Sequence, residues 1–193
     1  MIEYLNGHLI ELNPAHVVVD ISGIGYFVHV SLNTFTSLRD SKNVKLFIHE
    51  VIREDAHLLY GFHDTDEREL FRLLISVSGV GANTGILFLS SLTVSEIKSA
   101  IVSGDVERLK SVKGIGLKTA QRIIVELKDK LTKEPLSGDI FTTLNNTTRE
   151  EALSALVTLG FMKKNAEKVI DGILKVNPEK TVEQIIKDAL KQM

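Results

Sequence analysis

The chain has 193 residues, 44% of them hydrophobic and 25% charged, with no cysteine and no tryptophan. That length holds one to two domains of roughly 100–200 residues each, and the apolar share can fill packed cores, which argues against wholesale disorder. The missing cysteine excludes a disulfide framework, a thiolate zinc site and a cysteine nucleophile.

The net charge of −2 hides an uneven distribution. Residues 1–63 carry four Lys/Arg against seven Asp/Glu, residues 64–135 eleven against ten, and residues 136–193 eight against eight. Within the middle block, residues 108–133 hold eight basic side chains (Arg108, Lys110, Lys113, Lys118, Arg122, Lys128, Lys130, Lys133) and only two acidic ones, Glu126 and Asp129. Charge sorted in this way suggests a surface with distinct sides. No apolar run approaches the roughly 18 residues of a membrane helix, and the opening MIEYLNGHLIEL lacks a signal-type core. A cytoplasmic location without membrane attachment is expected.

The first 63 residues read as five or six short strands. In Tyr26-Phe27-Val28-His29-Val30 the side chains alternate, with Tyr26, Val28 and Val30 on one face, and Val17-Val18-Val19-Asp20-Ile21 is similarly β-branched. Two runs, 44–48 and 58–62, flank the polar segment Arg53-Glu54-Asp55-Ala56 and suggest a long hairpin. This density of strands fits a small closed barrel of the oligonucleotide/oligosaccharide-binding (OB) type.

From Asp64 the spacing turns helical. Asp64-Thr65-Asp66-Glu67 and Thr93-Val94-Ser95-Glu96 are capping signals, and Ala120, Ile123, Ile124, Leu127 and Leu131 recur at spacings of three and four. Four or five helices are expected before 132. Residues 133–147 (KEPLSGDIFTTLNNT) break the periodicity and read as a flexible linker. Thr148-Arg149-Glu150-Glu151 then caps a helix that Gly160 stops, a second helix runs over about 164–175, and Thr181-Val182-Glu183-Gln184 caps a third. The expected fold is therefore α+β and multi-domain: an OB-like β-barrel over 1–63, an all-α domain over 64–132, the linker, and a three-helix bundle over 148–193. Such a bundle is marginal alone, which suits a tethered interaction module.

The most specific pattern is duplicated. Ser78-Gly79-Val80-Gly81-Ala82 and Lys113-Gly114-Ile115-Gly116-Leu117 each join two helical segments, 35 residues apart. Each is a helix-hairpin-helix: glycines allow a tight turn, Val80 or Ile115 can anchor it, and the next helix starts with free N–H groups suited to a phosphate. Asn83 and Thr84 follow the first turn, Lys118 and Thr119 the second. Lys118 and Arg122 share a helix face and can add charge to the same phosphate track. No element reads bases, so DNA binding here is expected to ignore sequence. The segment after Gly114 lacks the G-x-x-x-x-G-K-[ST] spacing and follows a helix, which argues against a nucleotide loop.

With Arg53-Glu54-Asp55-Ala56-His57-Leu58-Leu59-Tyr60-Gly61-Phe62, the two hairpins and Ile123-Ile124-Val125-Glu126-Leu127-Lys128, the chain resembles the RuvA family along essentially its full length. The resemblance implies a Holliday junction-binding subunit of the RuvAB branch-migration complex, acting in DNA recombination and repair. It implies a homotetramer, or two tetramers face to face as an octamer, holding a four-way junction open and flat. Glu54 and Asp55 would form an acidic pin at the crossover, repelling phosphates. The duplex arms would be gripped at Gly79, Val80, Gly81, Asn83, Thr84, Gly114, Ile115, Gly116, Lys118, Thr119 and Arg122. The UBA-like C-terminal module, 148–193, would recruit the hexameric ATPase RuvB, with the RuvC resolvase as a further partner. One departure stands out: the first hairpin of the family usually continues with proline and lysine, where this chain has Ala82-Asn83-Thr84.

No catalytic site is expected, no metal and no cofactor; ATP and magnesium would be used by the motor. Adjacent carboxylates on a turn point apart, which disfavours Glu54 and Asp55 as nuclease magnesium ligands. The six histidines (His8, His16, His29, His49, His57, His63) lack the spacing of a metal site. A single-strand-binding module would stack bases on aromatics, and aromatics make up only 6% of the chain. A pure protein adaptor would leave the basic block unexplained.

Overall fold

The computed structural model describes residues 1–132, 144–177 and 180–192. Five strands, β1 (Tyr4–Asn13), β2 (His16–Ile21), β3 (Ile24–Val30), β4 (Asn43–Ile52) and β5 (His57–Phe62), close into a barrel in the order β1-β2-β3-β5-β4. All pairings are antiparallel except β3 with β5, which run parallel through His29–Tyr60 and Val30–Gly61. The period-2 reading holds: Val17, Val19, Val28, Val30, Leu46 and Ile48 are buried inside, while Phe27 faces out.

One element of the barrel region was not expected. Helix α1 (Leu32–Leu38) connects β3 to β4. Its sequence LNTFTSL has little helical periodicity, and tertiary bonds hold it instead. Ser31 caps it, accepting from the Thr34 amide, and Asn33 Nδ2 donates to the carbonyls of Leu89 and Leu92.

Five helices follow: α2 (Thr65–Ile75), α3 (Ala82–Ser91), α4 (Val94–Ser103), α5 (Val106–Lys110) and α6 (Leu117–Thr132). Asp64 caps α2 through the Glu67 amide, and Thr93 with Glu96 forms the expected capping box on α4. The barrel has its own core, including Leu5, Val17, Val28 and Leu46, while Tyr60 and Phe62 from β5 belong to the apolar cluster of Phe71, Phe88, Ile97 and Ile123 and so pack β5 onto the helices within the unit Met1–Glu134. Two buried charged side chains lock this joint. Glu67 accepts from the hydroxyls of Ser31 and Thr34, and Arg68 pairs with Glu3 and lies against the Phe47 ring.

The second unit, Pro135–Met193, contains α7 (Leu144–Thr158), α8 (Lys163–Val176) and α9 (Val182–Gln192) around Ala152, Leu156, Ala166, Ile170, Ile173, Ile185 and Ala189. Gly160 ends the first of these at φ 97°, and Thr181 and Gln184 exchange the bonds of a capping box on the last. The start of α7 corrects the sequence reading: Thr148 lies inside the helix, and 144–147 are helical where a linker was expected. The strong breakers, Pro135 and Gly138, lie upstream, and Leu-Asn-Asn-Thr contains nothing that forbids a helix. The rest of the expected linker, 133–143, lies outside the described residues. Arg149 reaches Asp171 with two hydrogen bonds, of 2.7 and 3.2 Å, joining α7 to α8. Among the described residues no single helix is long and apolar enough to cross a membrane.

Candidate nucleic-acid interface

The two glycine turns repeat each other bond for bond. Ser76 closes α2 with its amide on the Arg72 carbonyl at 3.2 Å and its hydroxyl on the Leu73 carbonyl at 2.7 Å. Ser111 closes α5 in the same way, with 3.2 Å to Glu107 and 2.7 Å to Arg108. Val77 and Val112 plug the core, and the amides of Val80 and Ile115 return to their carbonyls at 3.0 and 3.1 Å. Between them Gly79 and Gly114 take φ of 94° and 91°, a region that strains any side chain. Val80 and Ile115 are buried, as anchors should be.

The next glycine in each turn starts a helix. Gly81 is extended at the N-cap of α3, and its carbonyl accepts from Gly85 at 2.9 Å; the Gly116 carbonyl accepts from Ala120 at 3.0 Å. The amides of 82–84 and of 117–119 therefore precede the first intrahelical bond, at the positive end of each helix dipole. Neither Gly81 nor Gly116 has a positive φ, and a Cβ on either would meet nothing within 4 Å.

Beyond the turns the two sites diverge. Lys118 is exposed, whereas Asn83 accepts a 3.2 Å hydrogen bond from the Tyr60 hydroxyl of the barrel. Thr84 and Thr119 are half-buried. Arg122 departs from the expected free stripe: its Nη1 donates to the Ser78 carbonyl at 3.2 Å and its Nε lies 3.6 Å from Glu126. The helix of the second motif thus reaches the turn of the first. The basic block is also less free than its composition suggests, because Arg108 pairs with Glu96 at 2.6 Å and Lys110 with Glu107 at 2.9 Å. Lys113, Lys118, Lys128 and Lys130 remain exposed.

Glu54 and Asp55 sit where the long hairpin was expected to turn. The Arg53 amide closes the turn on the Ala56 carbonyl at 2.8 Å, and both acidic residues are exposed at the end of β4 and β5. The histidines serve the barrel instead: His16 stacks on Phe27 with ring centroids 4.4 Å apart and pairs with Glu11, and His57 pairs with Glu50. Burial lowers the pKa of His29 and His49, with nearby Arg72 and Arg68 also acting on His49. Among the described residues no three His, Asp or Glu side chains are placed to hold a metal ion.

Sequence reasoning missed Tyr60 and the double attachment of Arg122. Neither has a local signal, since Tyr60 reads as one more alternating strand residue and Arg122 as one more charge on a helix.

A closed five-stranded barrel packed through β5 onto paired helix-hairpin-helix turns defines a class of protein that presents helix N-termini. Residues 1–61 match the family described as RuvA N terminal domain, 71–129 the SAM-like Helix-hairpin-helix tandem, and 147–193 the RuvA, C-terminal domain. The Holliday junction branch migration complex subunit RuvA of Christiangramia forsetii is 52% identical over 193 residues, spanning all of both chains. The proteins of the same description from Flavobacterium psychrophilum and Bacteroides fragilis are 49% and 47% identical, again over the full length of each. The chain belongs to the RuvA family.

Proposed function

We propose that this chain is the non-catalytic subunit that binds four-way DNA junctions independently of sequence, holds them open, and recruits a RuvB-type ATPase for branch migration in recombination and repair. The observation that carries this reading is the pair of bare glycines, Gly81 and Gly116. Among the described residues nothing requires either to lack a side chain, since neither has a positive φ and each has empty space at its Cβ position. A phosphate backbone drawn against the following amides does require it. The gripping residues are the amides and side chains around Gly79, Val80, Gly81, Asn83 and Thr84 in one hairpin, and Gly114, Ile115, Gly116, Lys118 and Thr119 in the other, with Arg122 between them.

The acidic turn supplies the shape selectivity. Assembled around a four-fold axis, as a homotetramer or as two tetramers in an octamer, copies of Glu54 and Asp55 crowd negative charge at the crossover, repelling phosphates and favouring separated strands. Salt screens that repulsion. The C-terminal bundle recruits the motor, which brings ATP and magnesium, and RuvC is a further partner of the assembled junction complex. The protein works in the cytoplasm.

A band-shift with a labelled four-way junction in a large excess of unlabelled linear duplex tests the reading. Junction binding that survives the competitor is the expected result. Equal competition by duplex or single strand would reduce the hairpins to generic phosphate clamps and overturn it. Neutralising the pin with Glu54→Gln and Asp55→Asn should narrow the junction-to-duplex preference by raising affinity for duplex.

A further inference from the structure

Tyr60 links the barrel to the first hairpin by a side-chain hydrogen bond. It lies on β5, the strand that leaves the acidic turn, and its ring is buried in the apolar cluster of the hairpin helices. Its hydroxyl extends from that core to Asn83, an exposed residue in the first turn of α3, and donates to Oδ1 at 3.2 Å. Burial pushes the phenol pKa up, so the group remains a donor across the neutral range.

An asparagine amide carries one acceptor oxygen and an NH2 with two donors, and a free amide can rotate to present either. Only the NH2 suits a phosphate. With the phenol donating to Oδ1, both N–H donors are turned away from the hydroxyl; a flipped amide would have to donate to the phenol oxygen, a poorer acceptor than an amide carbonyl, and would turn Oδ1 toward the phosphate. The second hairpin has no need of this arrangement, because Lys118 stands at the matching position and carries donors alone. We propose that Tyr60 is a positioning residue of the first hairpin, whose hydroxyl fixes the Asn83 amide with its donors toward the DNA phosphate. This rests on the DNA-gripping role proposed above for that hairpin. It also explains how an uncharged turn can hold DNA.

The experiment is a double-mutant cycle on the full-length chain, read as junction affinity by band-shift and as Tm. Tyr60→Phe keeps the ring in the core and removes only the hydroxyl. It should weaken junction binding about fivefold, the scale of one oriented hydrogen bond, while leaving the salt slope unchanged. Asn83→Ala should cost about as much, and the double variant no more than either alone. Asn83→Asp keeps an acceptor for the phenol but replaces the donors with negative charge, so it should bind more weakly than Asn83→Ala. In the Asn83→Lys background, where the side chain brings its own charge, Tyr60→Phe should cost nothing. A Tyr60→Phe variant that binds as wild type overturns the proposal, as does a loss that persists in full in the Asn83→Ala background. These outcomes leave the reading of function standing as long as Lys118→Ala and Gly116→Ala still weaken binding. A wild-type chain without preference for the junction sinks both.

Discussion

Lys118 and Thr84 occupy the first turns of α6 and α3, and their chemistry sets different expectations. Lys118 is exposed and charged, whereas Thr84 is half-buried and uncharged. Each phosphate neutralised by a lysine contributes about one unit to the dependence of log affinity on log salt. Lys118→Ala should therefore flatten that slope by about one, and Thr84→Ala should lower affinity while leaving the slope nearly intact; equal losses of slope would contradict the assignment. Glu67 makes a separate prediction. Burial raises its carboxyl pKa more than the hydrogen bonds from Ser31 and Thr34 lower it. A folded value above the unfolded one gives a contribution to stability that is fullest in acid and declines as pH rises through the raised value. From about pH 4 to pH 7, wild type should lose stability relative to Glu67→Gln, measured by urea unfolding at each pH. Parallel curves would count against it.

At the scale of the element, each turn contains two glycines with opposite roles. Gly79 and Gly114 have positive φ, so alanine there strains the backbone and should cost on the order of 1–2 kcal/mol of stability. Gly81 and Gly116 have neither strain nor a neighbour to clash with. Alanine at those positions should leave Tm close to wild type yet weaken DNA binding several-fold, since the new methyl group lies where a phosphate must approach. Thermal melts beside band-shifts separate the two classes. If Gly116→Ala binds as wild type, the glycine serves something other than close approach. The C-terminal bundle shows a comparable division. Leu153, Phe161, Val169 and Ile186 pack on its core, as their apolar character suggests, but Leu159, Met162, Val176 and Leu190 remain exposed.

For the whole molecule, the decisive feature is that barrel and hairpin helices are one unit while the bundle is another. The acidic turn leads into β5, whose Tyr60 and Phe62 pack in the core of the hairpin helices, so turn and hairpins belong to the same unit. Removing residues 148–193 should leave junction affinity within about twofold and abolish motor-driven branch migration. The scale for "unchanged" is less than 0.5 kcal/mol, since every 1.4 kcal/mol is tenfold. Loss of junction binding in the truncated chain would break the division of labour between the two units.

The elements, the barrel and the paired hairpins were legible in the sequence because each is governed by local rules. Side-chain alternation marks the strands, spacings of three and four mark the helices, and glycines mark turns that need a positive φ. The Asp64, Thr93 and Thr181 caps follow from short-range hydrogen bonding and fell where expected. Helix α1 did not, because bonds to Glu67, Leu89 and Leu92, far along the chain, hold a segment with weak periodicity of its own. The same reason separates composition from charge at the site. Eight basic residues in one stretch look like a continuous positive face, but Glu96 and Glu107 take up Arg108 and Lys110, and Arg122 is turned toward Ser78. Sequence alone thus determined where the two glycine turns fall, since local dihedrals and missing side chains decide that. Only the tertiary structure decided which charged side chains beside them are paired, because pairing depends on neighbours that the chain brings together across tens of residues.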